Sequence, residues 1–238
     1  MRAGILAAGL GERLRGAGIA TPKALVEVGG RPLLEHALAA VRTVGAQSVT
    51  VHVNDRDGDA ISRWIDSRGL RGSVGVMRRT TASSLETFAG LAPELVRGGE
   101  PHAIVAMVDG VFSARGLARF SQDARALASG ASEVEGILGV TSREDDDRPL
   151  RVRIGDRDRI VAIGRGAESS LLSTAGLYLL PRRAILRGPE LLAAGGGALR
   201  ELLAAIVAEG VALAACDLGE VVDVDRPDDL EAAEALGA

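Results

Sequence analysis

A single α/β domain on a mostly parallel mixed sheet flanked by helices, with a smaller β insertion in its second half, is the fold this sequence predicts. Three observations carry the prediction. Short apolar runs alternate with helix-period patterns as far as Ser129, as expected for parallel strands joined by crossover helices. Beyond about residue 133 the pattern changes to strands alone, and near the C-terminus the alternation of strand and helix returns. The chain of 238 residues suffices for one sizeable core, so 1–238 reads as one domain with 133–180 as a β-rich subregion within it.

The first strand is Ala3–Ala8, running into Gly9-Leu10-Gly11. Gly16, Gly18 and Pro22 argue against a continuous helix after it. A Gly29-Gly30 turn leads to a helix over Pro32–Val44, whose proline suits a first turn. Strands follow at Ser48–Val53, Ser73–Met77 and Ala103–Val108, with helices at Asp57–Gly69, Ser84–Val96 and Ala114–Ser129. In the subregion, Glu135–Val140, Leu150–Ile154, Arg159–Ile163 and Leu177–Leu180 read as strands around a charged turn at Arg143–Arg148. A helix at Ala198–Glu209, strands near Val211–Ala215 and Val221–Asp225, and a helix over Pro227–Leu236 close a Rossmann-like layout.

Composition removes several function classes. Hydrophobic residues make up 47% and charged residues 25%, an ordinary globular balance. No apolar run approaches the ~18 residues of a membrane span, so no membrane partner is expected. The net charge of −4 is dispersed, and the only aromatics are Trp64, Phe88, Phe112, Phe120 and Tyr178, so no nucleic-acid partner is expected either. The lone Cys216 excludes an internal disulfide and a multi-cysteine zinc site, and a cytoplasmic location is the expectation. A homo-oligomer is compatible with all of this.

The opening segment carries the first chemical signal. Glycines let the backbone approach a ligand closely and leave N–H groups to point at phosphate oxygens. Arg13, Arg15 and Lys23 follow, cations able to close over the same oxygens. The segment reads as an anion cradle for a nucleoside triphosphate. A dinucleotide fingerprint would need a third glycine where Leu14 stands, and a P-loop would need its lysine directly after the second glycine. The segment is not expected to be a signal peptide, since Glu12, Arg13 and Arg15 arrive too soon to leave an uninterrupted apolar stretch.

Phosphoryl chemistry normally recruits Mg²⁺ through one or two carboxylates plus phosphate oxygens. Asp109 ends an apolar run, and Asp223 and Asp225 end the last predicted strand, two residues apart and so on one side of it. Pattern alone does not choose between that pair. The run Glu144–Asp147 reads as a solvated hairpin tip rather than a metal site, since like charges repel and stay in water. His36, His52 and His102 read as structural or surface residues.

With these residues in view, the segment LAAGLGERL…TPKALVEVGGRPLLEH (Leu6 to His36) resembles the signature of the nucleotidyltransferase superfamily that makes nucleotide sugars, the NDP-sugar pyrophosphorylases. Ala82-Ser-Ser-Leu85, Val108-Asp109 and VVDVDRPDDLEAAEAL (Val221 to Leu236) are similar to its later motifs, so the likeness spans nearly the whole chain. Asp109-Gly-Val-Phe112, Ile160–Gly166 and the Asp-Val-Asp ending look most like inositol-1-phosphate and other phospho-alcohol cytidylyltransferases. The resemblance implies that Leu6, Ala7, Ala8, Gly9 and Gly11 hold the nucleotide, with Ala82 and Ser83 at the base and ribose. It implies that Arg13 grips the leaving phosphates and that Lys23 neutralises the α-phosphate and the incoming phosphate. Asp109 with Asp223 or Asp225 would hold Mg²⁺, and Arg165 would bind the acceptor's phosphate in the β-rich subregion. The partners implied are an NTP, CTP favoured, and a phosphorylated sugar or polyol. Thr80 stands where a glycine usually opens the base-reading turn, and Arg226 where a threonine usually precedes the final helix.

Other readings stay beside this one. A sugar-1-phosphate guanylyl-, uridylyl- or thymidylyltransferase keeps the reaction and changes the substrates. A nucleotide-binding regulatory protein keeps the fold without turnover, with Thr80 and Arg226 in its favour. A dinucleotide-dependent oxidoreductase is disfavoured by Leu14 and Lys23.

Overall fold

The computed structural model describes residues 1–143 and 149–237, so Glu144–Asp147, expected as a hairpin tip, lies outside the described residues. The chain opens with β1 (Arg2–Ala7), a short α1 (Glu12–Gly16) and a small hairpin of β2 (Glu27–Val28) and β3 (Arg31–Pro32). Gly29 and Gly30 make its turn with φ of 57° and 73°, a pair of left-handed positions that suits a two-residue hairpin. Pro32 caps α2 (Leu33–Val44) from outside rather than starting it. Next come β4 (Ser48–Val53), α3 (Gly58–Ser67), β5 (Val74–Arg78), α4 (Ser84–Leu95), β6 (His102–Met107), β7 (Gly110–Phe112) and α5 (Ala114–Ala128). The second half holds β8 (Gly136–Thr141), β9 (Val152–Ile154), β10 (Ile160–Ile163) and β11 (Ser173–Pro181). It closes with α6 (Arg182–Ala193), α7 (Leu199–Ala208), β12 (Leu213–Asp217), β13 (Val221–Asp223) and α8 (Pro227–Gly237).

Seven strands form the main sheet in the order β12-β8-β11-β6-β1-β4-β5. β6, β1, β4 and β5 run parallel, as do β12 and β8, while β11 is antiparallel to both its neighbours. The predicted α/β fold with a mostly parallel sheet is thus present. Side chains alternate between two faces, as a strand's period of two requires. Ile104, Ala106, Leu177 and Leu179 face the core closed by α2, α3 and α5, and Ala103, Val105, Tyr178 and Leu180 face that of α4, α6 and α7.

Two sequence expectations need correction. The strands around 135–140 and 177–180 are not part of a separate insertion: β8 and β11 are buried on both faces inside the main sheet, and only the β9–β10 hairpin stands apart. Their near-continuous apolar runs are what two-sided burial demands. Helix α6 was absent from the prediction because Pro189 interrupts its pattern, yet Ala184, Ile185 and Gly188 keep one buried face.

The fold places a crevice at one edge. After β1 the chain adds β4 and β5 on one side, then crosses back to lay β6 on the other. The loops leaving β1 and β6 therefore diverge at a switch point, where ligands of open α/β sheets bind. A third core of Leu14, Val26, Val28, Leu33, Val111, Val222, Val224 and Ala233 buttresses this edge from below. Near it, Gly116 is packed so tightly that an added Cβ would lie 2.2 Å from the Leu218 carbonyl oxygen. Gly116→Ala is expected to cost about 3 kcal/mol by overpacking, read as a lower urea midpoint at unchanged slope.

Candidate active site

The crevice begins with the loop after β1. Gly11 has φ of 61°, and a Cβ there would approach Lys23 Cβ at 3.1 Å, so the lysine's stem packs directly on the glycine loop. Arg13, on α1, faces the crevice and donates to Asp225 Oδ2 at 3.0 Å. Arg15 does not join it. Its guanidinium donates to the carbonyls of Leu10 and Ala20, at 3.1 Å each, and to Asp57 Oδ1 at 2.8 Å. The expectation of three clamping cations becomes two, because two positions along a single helical turn carry a side chain to the other side of the loop.

Lys23 is the electrostatic centre. Its Nζ donates to Asp109 Oδ2 at 2.6 Å and to Asp225 Oδ1, with 9% of the side chain exposed. Burial alone lowers the pKa of the ammonium, but the facing carboxylates Asp109 and Asp225 outweigh it and hold it above the usual lysine value. Backbone geometry brings the two aspartates together. β13 pairs with β7 and stops at Asp223, and the Val224 N–H then donates to the Asp109 carbonyl at 3.1 Å. Asp229 Oδ2 accepts from the N–H groups of Asp225 and Arg226 at 2.8 and 2.6 Å. Reaching back from the first turn of α8 as in a capping box, it ties down the backbone at Asp225. Asp225 rather than Asp223 therefore reaches Lys23, while Asp223 lines the wall beyond.

These carboxylates offer what a magnesium ion takes. Two hard oxygen donors converge on one cation, Lys23 Nζ. Among the described residues no group of three or more metal-capable side chains exists, so Asp109 and Asp225 suit Mg²⁺ only with phosphate oxygens completing its shell.

Two cavities meet at this cluster, sharing Arg13, Ser84, Met107 and Asp225. The larger, about 490 Å³, is bounded by Leu6, Ala8, the Gly9–Gly11 loop and the turn Thr81–Ser84. Ala82 and Ser83 thus lie opposite the glycine loop. The Ser83 hydroxyl is committed to capping α4, accepting from the Glu86 N–H at 3.1 Å, and Glu86 Oε2 accepts the Ala82 N–H at 2.7 Å. Thr80, departing from glycine, ties the turn to Asp55 Oδ2 through both its N–H and hydroxyl, at 2.8 and 2.7 Å. Those hydrogen bonds hold the Asp55 carboxyl below its usual range.

The smaller cavity, about 240 Å³, is lined by Asp109, Asp223 and Tyr178 together with Arg143, Arg200 and Arg226. Burial pushes the Tyr178 phenol up to about 12, so it stays protonated at neutral pH. Arg165 lines neither cavity; it stands exposed on the turn after β10. Arg143 and Arg200 were not found by sequence reasoning. Arg143 follows a buried strand at the same edge as Asp109, which is a usable signal, whereas Arg200 reaches the cavity only because α7 packs its start on Ser84, the Leu199 N–H donating to Ser84 Oγ at 3.0 Å. None of His36, His52 and His102 lines either cavity.

Comparison with known proteins supplies independent findings. Residues 3–135 match the family described as MobA-like NTP transferase domain. A "Bifunctional IPC transferase and DIPP synthase" from Rubrobacter xylanophilus is 31% identical over 98% of the chain, which spans 51% of that protein. A "CMP-5'-(3-aminopropyl)phosphonate synthase" from Streptomyces rubellomurinus is 31% identical over 79% of the chain, with 29% of its own length covered. The chain thus spans about half, or less, of the relatives it matches. The structure of the inositol-1-phosphate CTP transferase from T. maritima superposes with a TM-score of 0.79, covering 99% of this chain and 94% of that one at 20% identity, a likeness of fold. Among the described residues no helix is long and apolar enough to cross a membrane.

Proposed function

The chain belongs to the MobA-like NTP transferase domain family, and from that premise we propose a Mg²⁺-dependent nucleotidyltransferase that moves an NMP group, CMP first, from NTP to a phosphorylated polyol or sugar. The observation that carries this reading is the junction: two cavities of unequal size share a wall where Lys23, Asp109, Asp225 and Arg13 converge. A transferase of this kind must bring two anions together, one per cavity, and neutralise their repulsion where they touch.

In this reading the N–H groups of the Gly9–Gly11 loop and Arg13 hold the β- and γ-phosphates. Ala82 and Ser83 border the base and ribose. Asp109 and Asp225 would hold the magnesium ion, which supplies charge neutralisation to the triphosphate. Lys23 exchanges its carboxylates for the α-phosphate and the incoming phosphate. The acceptor lies in the smaller cavity, its anion facing Lys23 and the arginines there, a role the sequence assigned to Arg165. An acceptor phosphate is substantially dianionic at neutral pH, with a second pKa of about 6, so no general base is needed. One of its oxygens bonds to the α-phosphorus in line, the bond from that phosphorus to the bridging oxygen breaks, and pyrophosphate carries away the electron pair. The cytidine preference is supported by the sequence resemblance and by the name of the Streptomyces relative.

Pyrophosphate release from each of the four NTPs and dTTP, crossed with phosphorylated polyols and sugars, tests this. The highest rate is expected with CTP and a phosphorylated polyol. A maximum with UTP, GTP or dTTP and a sugar 1-phosphate would move the protein to the other substrate class. Nucleotide binding with no release from any pair would leave a nucleotide-binding regulatory protein.

A further inference from the structure

We propose that Asn54, Asp57 and Arg15 form a positioning unit that fixes which way the peptide groups of the Ala8–Gly11 loop face, and thereby sets the loop's affinity for a triphosphate. The inference rests on the reading of that loop as the triphosphate cradle.

The first part of the unit is buried where β4 ends. Asn54 is fully buried and Asp57 is 4% exposed. The two lock together: the Asp57 N–H donates to Asn54 Oδ1 at 2.8 Å, and Asn54 Nδ2 donates to Asp57 Oδ2 at 3.1 Å. The same Nδ2 reaches the carbonyls of Gly9 and Ala8 at 3.3 and 3.4 Å. Arg15 closes the ring from α1, joining the Leu10 carbonyl to the Asp57 carboxylate. Arg56 adds a second donor to the Leu10 carbonyl at 2.5 Å.

Three consecutive carbonyls, those of Ala8, Gly9 and Leu10, are therefore held from one side. In a trans peptide the carbonyl and the following N–H point in opposite directions, so the N–H groups of Gly9, Leu10 and Gly11 are turned away from this unit. Among the described residues these three donate to no protein acceptor. A run of such amides is an anion-binding concavity. Rotation of any one peptide would aim a carbonyl dipole at a phosphate instead, and glycine gives little intrinsic resistance to that rotation. The Asn54–Asp57–Arg15 ring supplies the resistance that Gly9 and Gly11 lack. None of the three residues lines either cavity, so each acts through the loop.

The test is calorimetric binding of CTP and of inorganic tripolyphosphate, a probe of the cradle without base or acceptor. It compares the wild type with Asp57→Asn, Arg15→Met, their double variant and Arg15→Lys. Each of the first two is expected to weaken both ligands about tenfold, the scale for outer-shell partners of a ligand site, with the acceptor's KM unchanged. The double variant should be little worse than either single one, because both break the same unit. Arg15→Lys, keeping one donor, should recover part of the loss. Arg15 is partly exposed, so Arg15→Met keeps the test available should Asp57→Asn unfold. Wild-type affinity in these variants, or a hundredfold additive loss in the double, overturns the proposal. A wild type that binds neither CTP nor tripolyphosphate overturns the cradle reading itself, and this inference with it.

Discussion

Asp109→Asn is expected to lower nucleotidyl transfer about a thousandfold while leaving the protein folded, the scale seen when one preorganised electrostatic contact to a reacting phosphate or oxyanion is lost. Asparagine keeps the volume and one oxygen of the aspartate. It removes one of the two charges that converge on Lys23, and with it one of the two hard donors available to a magnesium ion. The local backbone should survive, because the Asp109 carbonyl still accepts from Val224 and β7 still pairs with β13. Lys23 retains Asp225, so the stability loss should be about 1–2 kcal/mol, a fall in Tm of several degrees for a chain of this length. Pyrophosphate release against Mg²⁺ concentration, with a thermal melt alongside, measures both. Unchanged turnover would reduce Asp109 to a residue of the turn between β6 and β7.

Lys23→Met should be as damaging to activity and worse for the fold. Methionine matches the stem that packs on Gly11 but leaves Asp109 and Asp225 facing each other without their shared cation. Removing one partner of a buried ion pair costs about 3–5 kcal/mol; with Asp225 half exposed and still held by Arg13, about 2 kcal/mol is expected. The wild-type cluster also has a definite pH signature. The folded pKa of Lys23 lies above the ordinary value of 10.5, so its stabilisation is fully present below about pH 10.5 and is lost only as pH rises beyond it. Between pH 6 and 9 the rate should therefore show no basic limb from this lysine. A titration of activity near pH 8 that disappears in Lys23→Met would contradict the assignment of Lys23 as a permanent cation.

Much of the molecule was legible along the chain because the signals are local. Strand–helix alternation, the Gly29-Gly30 turn and the glycine loop after β1 each depend on residues a few positions apart, and each stands where the pattern put it. The membership of β8 and β11 in the main sheet was not legible. A buried apolar run has the same composition in a central strand as in a satellite one, and only the pairing partners differ. Helix α6 was hidden by Pro189, whose cost in a helix is outweighed by burial of Ile185 and Gly188 against Phe88 and its neighbours.

The site divides in the same way. The sequence alone determined which residue types gather at the crevice: Gly9 and Gly11 in the loop after β1, the cations Arg13 and Lys23, and aspartates at or just beyond strand ends. Tertiary structure decided the assignments that depend on direction and on long-range contact. Arg15 turns behind the loop to Asp57, Asp225 rather than Asp223 meets Lys23, Arg165 stays outside both cavities, and Arg200 enters one of them from a helix the pattern could not orient. The reason is physical. Local patterning constrains backbone conformation and burial, whereas the 86 and 202 positions that separate Lys23 from Asp109 and Asp225 are bridged only when the sheet brings the ends of its strands to one edge.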